Sequence, residues 1–476
     1  MLLKSENSCK IIYRVTWLDK MKKKLIALII SITVLFSLLI FTGCIVDNNP
    51  SNIQEFYVST SGSDNNNGSF EHPWRTIQHA MDLANPGDLI YVRGGVYSEK
   101  VTLERSGLSN AWITFRNYPG ETPIVDGTGV SLNWGQGLIQ IGSKDVKGVC
   151  YVLLNGFYCR DAGGNGVGIR TCYGHNITIS NCTTNNTGNS GITADNGYDY
   201  PSIDPKPLPS HIKIYNNFII DSNNAVNQEA LTVSRVTHFE LISNTLLNTH
   251  KEGICCKNDC SYGVIAYNDL ATPGVSIYIG SSPNGEAHDF EVYGNYCHGR
   301  GNSIGISMEK CGDSENYYIY NNIFASDVHG FQYIDEQIQG DCSLGPKNVY
   351  FINNVFDVGN TAIKINPSTT RTYIRNVVIR NNIIKGSINS IFLGENQINN
   401  EIIIDHNLFT STNYVYGTDY IIGDPKWVSE STGDYHLQST SPAIDAGSSI
   451  DAPSIDYDNN PRPIGITFDI GAFEYS

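Results

Sequence analysis

Charge is scarce in this chain. Of 476 residues only 16% are Asp, Glu, Lys or Arg, and the formal net charge is −16. No Lys/Arg run occurs in the repeat region described below. An acidic balance without a basic stripe excludes a nucleic-acid partner. No Cys-x-x-Cys pair meets a second pair at zinc spacing, so a structural zinc site is not expected. Good helix formers are sparse in the repeats, which excludes a stack of helix pairs.

What is present instead is a period. Short β-branched runs end in Asn at Asn181, Asn217, Asn244, Asn268, Asn295, Asn322, Asn354, Asn382 and Asn407. The units are rich in Val, Ile, Tyr and Asn and are punctuated by Gly, which reads as short strands and tight turns. A fixed interval of this size means stacked supersecondary units. The expected fold is all-β: a single right-handed parallel β-helix. Asn tolerates a left-handed turn, and its amide can bond the equivalent Asn one coil away. A solenoid grows in one dimension, so the length does not imply several domains. The 28 tyrosines and abundant Asn and Gly suit a surface that meets sugars.

The chain divides as follows. Residues 1–20 read as an upstream extension, with Met21 the start. Lys22–Lys24, an apolar run to Phe41 and then Thr42-Gly43-Cys44 read as an export signal. Phe41-Thr42-Gly43-Cys44 resembles a bacterial lipobox, which implies lipidation at Cys44 and a membrane-anchored lipoprotein outside the cell. Residues 45–54 are a polar linker. Residues 55–125 hold strand, Gly/Asn-rich loop, the helix pattern of 76–84, turn and strand. This is a cap, because an open solenoid end exposes core and strand edge. Coils run over 126–415. Residues 416–476 break the repeat and form a C-terminal cap. Ten cysteines besides Cys9 and Cys44 fall largely in apolar strands and are expected to be reduced. A monomer is expected.

Strand periodicity also predicts a register. Aligning Ile192, Leu231, Ile254, Ile277, Ile306, Phe331, Ile363 and Ile391 as the inward column puts Thr193, Thr232, Cys255, Tyr278, Ser307, Gln332 and Lys364 outward. Asp195, Lys257 and Glu309 lie two residues further on. Glu229 and Glu252 lie two residues before the inward position on successive coils. Asp195, Glu229, Glu252, Lys257, Tyr278 and Glu309 therefore share one face, with Lys251 beside them.

Two stretches carry a resemblance. The cap sequence from Tyr57 to Tyr97, and the coils "NNAVNQEALTVSR" and "NTHKEGICCKN", resemble family 9 polysaccharide lyases. The resemblance implies a Ca²⁺-dependent enzyme that cleaves uronate-containing polysaccharide by β-elimination. Glu229 and Glu252 then fall on calcium ligands, and Asp195 is expected as a third. Lys251 and Cys255 stand where that family has further Asp residues, and no Lys occurs between 258 and 309. Glu252 and Lys257, five apart, resemble the ligand and base of family 6 lyases, which gives Lys257 the role of catalytic base. Lys251, Tyr278 and Glu309 are then substrate-binding. The paired-Asp and Gly-His-Gly signatures of family 28 polygalacturonases are absent. The tail ending "DIGAFEY" resembles a segment of bacterial surface β-helix proteins. Two alternatives stay open: a non-catalytic glycan-binding or structural surface protein, and a glycoside hydrolase using Glu229 with Glu252 or Glu309.

Overall fold

A computed structural model describes residues 53–476, except 144, 147, 198–207, 223–227, 281–286, 300–302, 310–313, 335–345, 366–373, 387, 395–400 and 413–414. The signal segment and Cys44 lie outside the described residues. No described helix is long and apolar enough to cross a membrane.

The chain is a parallel β-helix with three long sheets of 13, 11 and 13 strands. Apart from the first two strands of sheet I and the last two of sheet III, every third strand in sequence enters the same sheet, as a solenoid of three-strand coils requires. Sheet I runs from Glu55–Val58 to Ile402–Asp405. Sheet II runs from Val101–Leu103 to Asn389–Leu393. Sheet III runs from Gly95–Tyr97 to Ile421–Ile422.

The predicted register holds. Ile192 pairs with Leu231, Leu231 with Ile254, Ile254 with Ile277, Ile277 with Ile306, and the column continues through Phe331 and Ile363 to Ile391. All of these residues are fully buried. They form the inner wall of one continuous core. Sheet I strands alternate, as in Ser210–Tyr215, where Ile212 and Ile214 are buried and His211 and Lys213 exposed. In sheet II the strands Val167–Cys172, Ile192–Asp195 and Leu231–Ser234 are buried on both faces. Over these three strands the outward side of sheet II is therefore shielded, although it carries Thr, Ser, Arg and Asp, whereas Lys257, Tyr278, Glu309 and Lys364 further along are partly exposed.

The asparagine ladder is present, with one shift. Asn217 through Asn407 form eight rungs; each Oδ1 accepts from the backbone N–H and Nδ2 of the rung before, at 2.9–3.1 Å. The first rung bonds back to Cys182, whose N–H donates to Asn217 Oδ1 at 2.9 Å. Asn181 sits one residue earlier than the ladder, opposite Asn216, because Ser180 pairs with Tyr215. That preceding column takes the left-handed backbone: φ is 52° at Asn181, 55° at Asn216, 55° at Ser243 and 52° at Asn321. The two roles assigned to one Asn column thus belong to adjacent columns.

At the N-terminal end the helix is Ile77–Leu83. Thr76 is its N-cap, accepting from His79 N–H at 3.2 Å. Ile77, Ala80 and Met81 face the core, as the spacing predicts. The C-terminal segment packs along the flank of sheet III. Trp427, Tyr435, Leu437, Ile470 and Phe473 bury against Ile323, Val355, Ile383 and Leu408. Arg462 and Glu474 form a fully buried ion pair within it. All eight described cysteines are free and buried.

Candidate functional site

The outward positions of sheet II line up across coils. One row reads Thr102, Gln140, Arg170, Thr193, Thr232, Cys255, Tyr278, Ser307, Gln332 and Lys364. The next outward row holds Cys172, Asp195, Ser234, Lys257, Gly280 and Glu309. Glu229 and Glu252 sit at the entrances of two adjacent strands, Leu231–Ser234 and Ile254–Lys257.

The structure joins Glu229, Glu252, Lys251 and Lys257 into one cluster. Lys257 Nζ donates to both Glu229 oxygens, at 2.8 and 2.9 Å. Lys251 Nζ stands 3.1 Å from Glu252 Oε2 and 3.8 Å from Glu229 Oε1. The two carboxylates thus share the Lys251 ammonium. Thr232 Oγ1 donates to Glu229 at 3.2 Å and bonds Ser190 Oγ at 3.0 Å. The glutamates are only 4% and 9% exposed, while the Lys251 side chain is 38% exposed and roofs the cluster.

Burial pushes the Glu252 carboxyl above its usual pKa; Lys251 opposes this and Glu229 adds to it. Burial works against the Lys257 ammonium, but Cys255 and the Glu229 and Glu252 carboxylates carry its pKa above the ordinary lysine value. Because the Cys255 thiol is itself pushed well up by burial, it is neutral, and the carboxylates are the physical cause. Lys251 is raised too, burial again opposing and Glu252 and Glu229 prevailing.

Tyr278 and Glu309 lie beside this cluster. The Tyr278 ring crosses Gly280: a Cβ there would stand 2.6 Å from the ring. The ring thus occupies the row position between Lys257 and Glu309, and Gly280 makes the room. Burial, then Glu309, raises the Tyr278 pKa. Asp195 lies in the Lys257 row, two coils away. Arg170 holds it with two bonds of 2.7 and 2.9 Å, and Gly197 N–H donates to it at 2.7 Å.

The expected calcium ligands do not fit a cation as they stand. Asp195 faces Arg170, Glu229 faces Lys257 and Glu252 faces Lys251. Each carboxylate already meets a protein cation at contact distance, so a divalent ion would have to displace an ammonium or guanidinium. Among the described residues no three His, Cys, Asp or Glu side chains group closely enough to hold a metal.

Sequence reasoning missed Arg170 and Ser190 and gave Thr232 no role. Thr232 was placed outward, but nothing local marks its bond to Glu229; Arg170 meets Asp195 only through coil stacking.

The comparisons agree with the architecture. Residues 56–230 match the family model "Pel9A-like, right handed beta helix region". The curated relatives include "Uncharacterized protein YwoF" of Bacillus subtilis, 41% identical over 75 residues, and "Pectate lyase PEL9" of Emericella nidulans, 40% identical over 75 residues. These matches cover 16% and 15% of this chain and span only 16% and 18% of the relatives' lengths. Among solved structures, a complex of XylC with xylose superposes with TM-score 0.60 at 13% identity, covering 88% of this chain and 98% of that one. Pectate lyase Pel9A superposes with TM-score 0.53 at 18% identity, covering 90% and 97%. At such identities the superpositions speak for the fold. Residues 56–230 of this chain form a Pel9A-like right-handed β-helix region.

Proposed function

We propose that this protein binds an acidic polysaccharide along the outer face of sheet II and cleaves it by β-elimination at the Glu229–Lys257 cluster, without calcium. The carrying observation is the cluster itself: two buried glutamates and two lysines on adjacent coils of a chain that is only 16% charged. β-Elimination needs a cation for the uronate carboxylate, an acceptor for the C5 proton and a donor for the leaving oxygen. Lys251 and Lys257 supply the cations. Lys257 is held as an ammonium by Glu229, so it neutralises charge here and is not the base. Glu229 takes the C5 proton. The C4–O bond breaks as the C4–C5 double bond forms, and the leaving oxygen takes its proton from Glu252, whose carboxyl is pushed above its usual pKa by burial. Tyr278 and Glu309 line the adjoining position for the neighbouring sugar.

The test is a panel of polyuronates with and without chelator. The expected result is an ultraviolet-absorbing unsaturated product in both, lost by about 100-fold or more in Glu252→Gln. Cleavage that dies with chelator overturns the metal-free reading. New reducing ends without that absorbance overturn elimination. They would support glycoside hydrolysis, the second reading, in which the neighbouring Glu229 and Glu252 serve as the carboxylate pair. Cleavage of no glycan leaves a binding or structural surface protein.

A further inference from the structure

Sheet II carries a second group of side chains beyond the cluster, toward its C-terminal end. The outward row runs on from Cys255 through Tyr278, Ser307 and Gln332 to Lys364 and Phe392. Ser307 and Gln332 are buried, whereas Tyr278, Lys364 and Phe392 are partly exposed. Hydrogen bonds tie the buried pair back to Glu309: Gln332 Nε2 donates to Ser307 Oγ at 3.0 Å, and Ser307 Oγ to Glu309 Oε1 at 3.3 Å. From Cys255 to Lys364 there are four coil steps, roughly 19 Å at about 4.8 Å each. Lys364 and the cluster therefore share one face but stand several sugar units apart.

Lys364 is a cation that the fold leaves without a counter-ion. Its ammonium donates a hydrogen bond to His329 Nε2 at 3.4 Å and pairs with no carboxylate among the described residues. An accepting Nε2 leaves the imidazole proton on Nδ1. Burial lowers the His329 pKa to about 4, and Lys364 adds to this, so the ring is neutral at neutral pH. It lends the ammonium a lone pair but no charge. His329 is only 6% exposed, and its Nδ1 is buried with no partner among the described residues. A buried N–H left unpaired is unfavourable, and so is a half-buried ammonium without an anion. Fold stability therefore does not account for this pair, whereas an anion bound at Lys364 would supply the missing charge. Glu309, the carboxylate of the adjoining row, lies two coils away. Phe392 pairs with Lys364 on the next coil, on the same outward side. Its ring is half-buried and belongs to neither hydrophobic core cluster.

We propose that Lys364 and Phe392 form a distal subsite for an acidic sugar unit of the polysaccharide, its carboxylate on Lys364 and its apolar face on Phe392. The assignment rests on the polysaccharide reading above and extends it: the substrate is a chain long enough to reach from the cluster, past Tyr278, to the C-terminal end of sheet II. His329 holds the ammonium in place without neutralising it. Such remote binding energy helps hold the reacting sugar in position. A charged group that fixes the acidic substituent, beside an aromatic ring that takes the apolar face, is a usual division of labour in ligand sites.

The experiment uses the Glu252→Gln protein, so that binding is read without cleavage. Its affinity for polygalacturonate and for the carboxyl-reduced polymer is measured with and without Lys364→Met and Phe392→Ala. Lys364→Met should weaken polygalacturonate binding about tenfold, the size of one charge-assisted bond, and leave the reduced polymer unaffected. Phe392→Ala should weaken both, and unchanged binding there overturns the role of the ring. Unchanged thermal midpoints show that the fold is intact; if Lys364→Met lowers the midpoint, Lys364→Gln takes its place. Equal polygalacturonate affinity before and after loss of the Lys364 charge, or no polygalacturonate binding at all, overturns the subsite. Equal weakening for both polymers overturns its acidic specificity. Wild-type cleavage is scored separately. Lys364-dependent binding with no cleavage sinks the lyase reading alone, and cleavage with Lys364-independent binding sinks the subsite alone.

Discussion

Replacing Asn322 by Ala removes five hydrogen bonds from a fully buried site. Its Nδ2 donates to Val292 O at 2.8 Å, Tyr320 O at 3.0 Å and Asn354 Oδ1 at 3.0 Å. Its Oδ1 accepts from Asn295 N–H at 3.0 Å and Asn295 Nδ2 at 2.9 Å. The consequences differ by partner. Asn295 Nδ2 keeps Ile265 O and Tyr293 O, and Asn354 Oδ1 keeps the Asn322 backbone N–H, which Ala retains. The Asn295 backbone N–H keeps nothing. One buried donor is orphaned outright, at about 1–3 kcal/mol, and the other losses add about 1 kcal/mol more. The expected loss is roughly 2–4 kcal/mol. Denaturant unfolding, followed by far-ultraviolet dichroism, reads it as a lowered midpoint. Asn322→Asp sharpens the test. It keeps the acceptor for Asn295 but buries a charge, so its carboxyl pKa is raised in the folded state. Its stability is therefore highest below the unfolded value near 3.9 and falls as pH rises through the folded value. The gap to wild type should widen from pH 4 to pH 7. A midpoint unmoved in Asn322→Ala would refute the reasoning, because no buried donor could then have been left alone.

The cluster and its floor yield two further expectations. Lys257→Met should cost about 3 kcal/mol by leaving the Glu229 carboxylate buried, whereas Glu229→Gln/Lys257→Met should return to within about 1 kcal/mol of wild type. Simple additivity in that double-mutant cycle would mean that the pair does not interact. Gly280→Ala should drive the Tyr278 ring off its place beside Lys257, since the new Cβ would lie 2.6 Å from the ring. The expected readouts are a change in tyrosine near-ultraviolet dichroism and weaker polyuronate binding; an unchanged spectrum would place the ring elsewhere.

The sequence by itself determined the solenoid, the inward columns and the strand register. These follow from a period-two pattern repeated at a nearly constant interval, which leaves little freedom in how coils stack. From that register alone Lys257, Gly280 and Glu309 fall in one row, and they do. It also determined the cap helix, whose Thr76 cap and buried face are local features. The ladder was legible but slipped by one residue at its first rung, because Asn181-Cys182 and Asn216-Asn217 differ in which residue is the rung. Only the tertiary structure decided which partners these carboxylates meet. Stacking brings Arg170 to Asp195 and Lys257 across a coil to Glu229. Side-chain reach between coils is set by rotamers and burial, which no spacing encodes.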